Sequence, residues 1–243
     1  MSKGSVTTDR EKITRIEIVG TKEVPNGVID SWDASENGDG SVIAWIYEDE
    51  ENVGYYKLYL GGNERVYAPE DSSFLFMGFT NMASMNITLL DTSKVTDMTS
   101  MFDNCNALTS LNVSSFNTEN VQTMKNMFSE CKKLTNLNLN NFVTNNVEDM
   151  FGMFYNCEEL TNLSVTSFNT EQVFDVSYMF ANCYKLENLD LSSFDFTIAM
   201  TDPDSRYIIT HENVVIKVKN EEAKNFIMSH NIFLAEDNFI ISS

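Results

Sequence analysis

The chain repeats itself every 26 residues, and this repeat limits what the chain can fold into. Its cysteines and its Met-Phe pairs occupy the same positions in consecutive copies, and columns of leucine, phenylalanine and valine keep the same spacing. The cysteines are Cys105, Cys131, Cys157 and Cys183, and the pairs begin at Met101, Met127, Met153 and Met179. One such unit is too short to bury a core of its own, so neighbouring copies are predicted to stack.

Each unit changes its hydrophobic period, which predicts a strand followed by a short helix. Apolar and polar residues alternate around Leu111-Asn112-Val113, as in a strand with one buried face. The apolar residues Val121, Met124 and Met127-Phe128 are three or four positions apart, which is typical of one helix face. The threonines predicted to cap these helices are Thr92, Thr118, Thr144 and Thr170.

The predicted fold class is therefore α/β: a right-handed solenoid of the leucine-rich-repeat type, with one parallel sheet and short helices. Residues 1–72 lack the repeat and form a predicted β-rich N-terminal capping region, with strands near 16–19, 42–47 and 55–60. The last two strands are expected to pair as a hairpin, and Trp32, Trp45 and the tyrosines to cover the first repeat.

Residues 73–197 form the predicted solenoid of five repeats, and residues 198–243 a predicted C-terminal cap. A strand is expected over 214–218 in this cap. A helix should follow from Asn220, with Phe226 and Ile227 pointing inward.

Two units carry a resemblance to a known family. They are Leu134-Thr-Asn-Leu-Asn-Leu-Asn-Asn-Phe142 and Leu186-Glu-Asn-Leu-Asp-Leu-Ser-Ser-Phe194. They resemble the BspA-like leucine-rich repeats of bacterial surface proteins, a repeat also known in mycoplasma surface lipoproteins of unknown function. The resemblance covers about half the chain and implies adhesion or protein recognition at a bacterial exterior, without catalysis. The chain departs from the familiar pattern at Phe142, where that pattern has Asn or Cys.

Charge and hydropathy exclude some classes of partner. The chain has 16 Lys and Arg against 36 Asp and Glu, a formal charge of -20, which opposes binding to nucleic acid or to an anionic membrane surface. The longest apolar run, 74–79, is too short to span a bilayer, so no membrane insertion is predicted. The polar start shows no export signal, so either the chain is not exported by that route or the segment is missing.

No metal, cofactor or catalytic site is predicted. The cysteines are expected to be buried thiols, because Phe79 occupies the same column one repeat earlier. The segment 33–38 resembles half of a calcium loop, but Ala44 stands where a bidentate glutamate is needed, so a turn is favoured. His211 and His230 have no evident partner, and the protein is not predicted to be an enzyme.

One surface is defined by the pattern: the exposed face of the predicted sheet, which is rich in small uncharged polar residues. It is flat and lacks aromatic anchors, which suits a broad contact with a protein rather than a pocket. A solvated sheet without a partner is the alternative. The candidate protein-binding residues are Asn86, Asn112, Asn138, Ser164, Asp190, Ser110, Asn136, Asn162 and Asn188.

Two settings remain open. The chain is either the recognition part of a bacterial surface adhesin whose signal was trimmed, or a component of a secreted or viral particle such as a bacteriophage tail. In both settings a protein partner is expected, as a surface receptor or as an assembly subunit, and a multimeric assembly is possible. The expected location is the bacterial cell surface or the extracellular space, with the virion as the alternative.

Overall fold

The computed structural model describes residues 9–199 and 207–242. Within these ranges the fold is mostly β, with several parallel sheets and few helices. The strands are β1 (Ile13–Val19), β2 (Asp30–Asp33), β3 (Ile43–Glu48), β4 (Tyr56–Gly61), β5 (Val66–Tyr67), β6 (Ser84–Asn86), β7 (Leu90–Asp91), β8 (Asn136–Asn138), β9 (Asn162–Ser164), β10 (Asn188–Leu191), β11 (Val215–Val218) and β12 (Phe239–Ile241). The α-helix is α1 (Glu221–Ser229), and short 3-10 helices cover Arg10–Lys12 and Glu236–Asn238.

Strands β1 to β4 form one sheet with β6, the first strand of the repeats. Its order is β2-β3-β4-β1-β6. The predicted hairpin is confirmed, since β3 and β4 are antiparallel. Strand β1 lies parallel to both β4 and β6, so it joins the N-terminal hairpin to the first repeat.

The cover of the first repeat differs in part from the prediction, since Tyr56 packs against the core of the repeats but the two tryptophans do not. Ile13, Ile16 and Ile18 of β1 belong to the core of the repeats, and Ile16 pairs with Met85 of β6. Trp45 instead stacks on Tyr59, with ring centroids 5.8 Å apart and the rings almost parallel, and does not join that core. The cover is therefore the apolar face of β1, because pairing with β6 places its isoleucines directly over the first repeat.

One hydrophobic core runs through the repeats, and the columns predicted to be buried are buried. The phenylalanines of the Met-Phe pairs, together with Phe76 one repeat earlier, stack on one another at centroid distances of 5.5, 5.5, 5.8 and 5.6 Å. They are Phe76, Phe102, Phe128, Phe154 and Phe180. Each ring fills space between two neighbouring repeats, so the core is continuous rather than divided into units.

The predicted helix in each repeat is wrong. The segment 124–130 makes a series of tight turns, in which the Met127 N–H donates to the Met124 carbonyl three residues back. The N–H groups of alternate residues donate to the next repeat: Met124 to Asp149, Asn126 to Phe151, Phe128 to Met153 and Glu130 to Tyr155, at 2.7–3.0 Å. We call the equivalent segments 72–78, 98–104, 124–130, 150–156 and 176–182 the turn ladder.

Backbone conformation explains why the turn ladder is not helical. Two columns of each repeat have positive φ, which an L-residue cannot adopt inside a right-handed helix. One column is Phe74, Ser100, Asn126, Gly152 and Tyr178, and the other is Gly78, Asn104, Glu130, Asn156 and Asn182. The apolar spacing of three and four resembles that of a helix because the turns bury side chains at the same intervals.

The threonines predicted as helix caps have a different role. The Thr118 hydroxyl donates to the Val143 carbonyl at 2.9 Å and accepts from the Val143 N–H at 2.8 Å. The other three members of the column, which are buried as Thr118 is, make the same pair of bonds to the next repeat. Each threonine therefore joins two repeats, and no helix follows it.

The C-terminal elements largely follow the prediction. Strand β11 lies parallel to β10 on one side and to β12 on the other. Helix α1 begins after Asn220, whose side-chain oxygen accepts the Ala223 N–H at 2.9 Å, and Phe226 and Ile227 are buried as expected. The boundaries at 72 and 197 stay predictions, since one core extends across both.

Candidate functional site

The nine residues predicted as a protein-binding surface lie in the same two columns of the repeats, and we call them the polar face. Eight of them are exposed, and Asp190 is half-buried. Parallel pairing sets Asn136 beside Asn162, and Asn138 beside Ser164. Ser110 forms a bridge to Asn136, which extends the first column by one repeat.

The first column of the polar face, Ser110, Asn136, Asn162 and Asn188, contains an amide contact between repeats. The side-chain nitrogen of Asn162 donates to the side-chain oxygen of Asn136 at 2.9 Å, and to the Thr161 hydroxyl at 3.1 Å. Such contacts along parallel strands hold the amides in fixed orientations. This column therefore presents a partly ordered row of donors and acceptors.

The second column of the polar face also ends the strands. The side-chain oxygens of Asn112, Asn138 and Asp190 accept the N–H of the residue two positions later, at 3.0–3.1 Å. This is the Asx turn that Asn and Asp favour. The sequence analysis missed this role, although Asn or Asp at a strand end is a signal for it.

Charged residues flank the polar face at both ends. On β1, Arg15 and Glu17 pair with the strand positions of Ser84 and Asn86, and they form an ion pair with each other. At the other end, the Lys217 ammonium lies 3.0 Å from the Asp190 carboxylate. Sequence reasoning missed these residues because Arg15, Glu17 and Lys217 lie outside the repeat.

The cysteines are buried, as predicted. Their sulfurs donate to the main-chain carbonyls of Phe76, Phe102, Phe128 and Phe154, at 3.1–3.3 Å. Burial raises the pKa of Cys105 and Cys183 to about 12. These side chains therefore fill the core as thiols and offer no thiolate to a ligand near neutral pH.

Both histidines lie within hydrogen-bond distance of main-chain carbonyls. His211 is buried, with Nε2 3.2 Å from the Leu186 carbonyl, and burial lowers its pKa. The Nδ1 atom of His230 lies 2.9 Å from both the Phe226 carbonyl and the Ser229 hydroxyl, at the end of α1. In the part of the chain that the structure describes, neither histidine forms an ion pair with a carboxylate.

The segment 33–38, which resembles half of a calcium loop, forms the predicted turn. The carboxylate of Asp33 accepts hydrogen bonds from the main chain and hydroxyl of Ser35 and from the Gly40 N–H. Gly38 and Gly40 have φ of 66° and 69°, which suits glycine. Over residues 9–199 and 207–242, no group of three or more His, Cys, Asp or Glu side chains is placed to hold a metal ion.

A second polar surface lies beside the turn ladder. It is an open groove. Its lining includes polar residues that recur every 26 positions: Lys94, Asn120, Gln122, Asn146, Glu148 and Gln172. Its floor is closed to strand addition, because the N–H groups of Gln122 and Glu148 already donate to the previous repeat. The 26-residue spacing of these polar residues was the signal that the sequence analysis did not use.

The fold and the site together define a repeat protein of parallel β ladders with a polar outer face. The chain belongs to the family described as "Mycoplasma protein of unknown function, DUF285", which it matches over residues 70–197, just over half of its length. All nine residues of the polar face lie inside the matched region. Searches of the curated proteins and of the solved structures found no significant match.

The described residues contain no helix that is both long enough and apolar enough to cross a membrane. The helix α1 has nine residues and presents polar side chains such as Glu221 and Glu222 to solvent.

Proposed function

We propose that this chain is a non-enzymatic recognition or adhesion module, displayed on a bacterial exterior, that binds a protein partner through the polar face. The observation that carries the proposal is the register of that face. Asn136, Asn162, Asn138 and Ser164 are brought side by side by the sheet and point away from the core. A broad row of small polar side chains suits a large, shallow contact rather than a deep pocket.

The finer architecture belongs to this proposal. We infer a right-handed solenoid of the leucine-rich-repeat type, related to the BspA-like surface repeats. Two ladders support it, one through the strands and one through the turn ladder, each linking a residue to its equivalent about 26 positions later. Such stacking produces an extended surface of the kind that repeat proteins use for binding.

The absence of catalysis is likewise proposed. The histidines and cysteines are used in packing and in hydrogen bonds to main-chain carbonyls, as described above. A convergent pair of histidine and carboxylate in a cleft would be the arrangement that argues against it.

The binding test adds charge to the polar face without removing its turns. In the variant Asn112→Asp, Asn138→Asp, Ser164→Asp, the new carboxylates at 112 and 138 can still accept the N–H two residues later. Asp190 makes this same bond in the native chain. Beads coated with the chain are scored for attachment to cultured host cells, and we expect at least a tenfold loss for the variant.

The matched control places three negative charges in the groove beside the turn ladder: Gln122→Glu, Asn145→Asp and Gln172→Glu. These side chains are exposed, and attachment should stay at the native level. Equal losses of attachment in both variants would show that added charge, and not its position on the polar face, weakens attachment. An unchanged triple-aspartate variant would remove the polar face as the binding site.

The setting is tested separately. Antibodies against the chain should label intact cells of the organism that carries the gene, if the chain is a surface adhesin. Recovery of the chain in purified bacteriophage particles at a fixed stoichiometry, without surface label, would instead support the virion alternative.

A further inference from the structure

Several large apolar side chains near the C-terminal end of the fold are exposed. Ile232 is 79% exposed and Ile240 is 54% exposed, and Phe233 and Ile241 are exposed as well. Ile240 and Ile241 belong to β12, the last strand of the order β10-β11-β12. In the described part of the chain, no strand pairs with the outer side of β12.

The edge strands at the two ends of the structure differ in charge. At the N-terminal end the edge strand is β2, which carries the charged residues Asp30 and Asp33. Charges on an edge strand discourage further pairing. Strand β12 has the sequence Phe-Ile-Ile and no such protection.

The backbone of β12 shows what could pair with it. The Ser242 N–H donates to the Val218 carbonyl at 2.8 Å, so the main-chain groups of residues 240 and 242 face β11. Because main-chain groups alternate in direction along a strand, those of Ile241 and the carbonyl of Phe239 face the open side. The Phe239 N–H is already used, since it donates to the Glu236 carbonyl.

The outward main-chain groups of β12 can pair with the same groups of a second β12 strand. In an antiparallel pair of two β12 strands related by a twofold axis at Ile240, the Ile241 N–H of each chain meets the Phe239 carbonyl of the other. Phe239 packs against the core. Because β12 is in register with β11, Phe239 and Ile241 lie on the core side of the sheet and Ile240 lies on the opposite side. A twofold axis perpendicular to the sheet keeps these sides, so the core would continue from one chain into the other.

We propose that β12 is a dimerisation strand, and that its partner is the β12 strand of a second copy of this chain. The dimer joins two C-terminal ends and leaves the polar face of each copy open. This inference goes beyond the recognition role and does not depend on it. The formal charge of -20 on each chain opposes association, so dimerisation should strengthen when salt screens that charge.

Sedimentation equilibrium of the full chain over a range of concentrations tests the proposal. We expect a monomer–dimer equilibrium whose dissociation constant falls between low and high sodium chloride. The variant Ile240→Lys should raise that constant at least tenfold, while Val53→Lys, at an 89% exposed site in the β3–β4 hairpin, should leave it unchanged. A native chain that stays monomeric at every concentration and salt level overturns the proposal.

Two further variants test the strand pairing itself. Ile241→Pro removes the outward N–H without touching the bonds to β11, and should weaken the dimer while leaving the melting temperature of the monomer unchanged. Ile240→Cys places two thiols across the proposed axis, at a spacing that a disulfide accepts. Oxidation should then yield a covalent dimer from Ile240→Cys and none from Val53→Cys; equal cross-linking of both would contradict the pairing.

Discussion

The buried threonines show how one hydroxyl joins two repeats. The Thr118 hydroxyl is hydrogen-bonded to both the N–H and the carbonyl of Val143, so a single side chain satisfies two main-chain groups of the next repeat. A hydroxyl that both donates and accepts is required for this. Valine, which has nearly the same shape as threonine, can make neither bond.

The variant Thr118→Val tests this role. It keeps the size of the side chain but leaves two main-chain groups of Val143 without a partner, so the free energy of unfolding should fall by about 1–3 kcal/mol. Urea denaturation provides the measurement. The exposed hydroxyl of Thr161, which donates to the Thr135 carbonyl, supplies the control: Thr161→Val should change stability by less than about 0.5 kcal/mol.

The phenylalanine columns are the second residue-scale feature. Phe142 is buried and stacks on Phe116, with ring centroids 6.4 Å apart. The variant Phe142→Ala leaves a cavity that the rigid neighbouring repeats cannot close, and should cost about 3–5 kcal/mol. Val143→Ala, at the exposed neighbouring position, should cost far less in the same denaturation experiment; similar losses would mean that Phe142 does not fill the core.

Asp49 connects stability to pH. Its buried carboxylate accepts the Thr14 hydroxyl at 2.6 Å and lies 3.2 Å from the Lys57 ammonium, and these contacts, the Thr14 bond foremost, hold its pKa well below the ordinary 3.8. A carboxyl with a lowered folded-state pKa stabilises the fold above pH 3.8, and this stabilisation is lost as pH falls below that value.

The variant Asp49→Asn should therefore be less stable than the native chain between pH 5 and 8, by about 1–3 kcal/mol. The difference in unfolding free energy should shrink as pH falls through 3.8 toward the lowered pKa. A difference that is constant down to pH 2 would show that Asp49 is not held as a carboxylate by these contacts.

At the scale of elements, the turn ladder is the feature that separates this repeat from a strand-and-helix unit. Asn104 lies in a positive-φ column that also contains Gly78, and has φ of 64°. Asn104→Gly should be tolerated, whereas the β-branched Asn104→Val should cost about 1–2 kcal/mol, because it disfavours the left-handed region. Asn145→Val, exposed and outside these columns, is the control for thermal denaturation.

Much of the element pattern was predictable. The columns of Met, Phe, Cys and Leu identify the core correctly, and the β3–β4 hairpin and the start of α1 at Asn220 follow from local signals. The helix was wrong because apolar spacing alone does not distinguish a helix from regular turns. Asn, Gly and Ser in the positive-φ columns were the available signal against it.

The candidate site was predictable only in part. A strand period assigns Asn138 and Ser164 to the exposed side, which the structure confirms. The neighbours Arg15 and Lys217 could not be predicted, because their position beside the polar face depends on the parallel pairing of β1 with β6 and of β11 with β10. Pairing between distant segments leaves no periodic signal in either one.

In the molecule as a whole, main-chain hydrogen bonds join residues of each repeat to residues of the next. Deleting one full repeat, residues 119–144, joins Thr118 to Asn145 and brings Thr118 to the position that Thr144 has beside Asn169. A second variant lacks only residues 119–142, which is two residues less than a full repeat. This deletion shifts every later column against the earlier ones.

Thermal unfolding of these two deletion variants is followed by circular dichroism. The chain lacking 119–144 should show a cooperative transition, because every ladder and core column closes again in register, whereas the chain lacking 119–142 should show none. Equal behaviour of the two variants, whether both fold or both fail to fold, would contradict the claim that repeat-to-repeat bonding at a spacing of 26 residues holds this protein together.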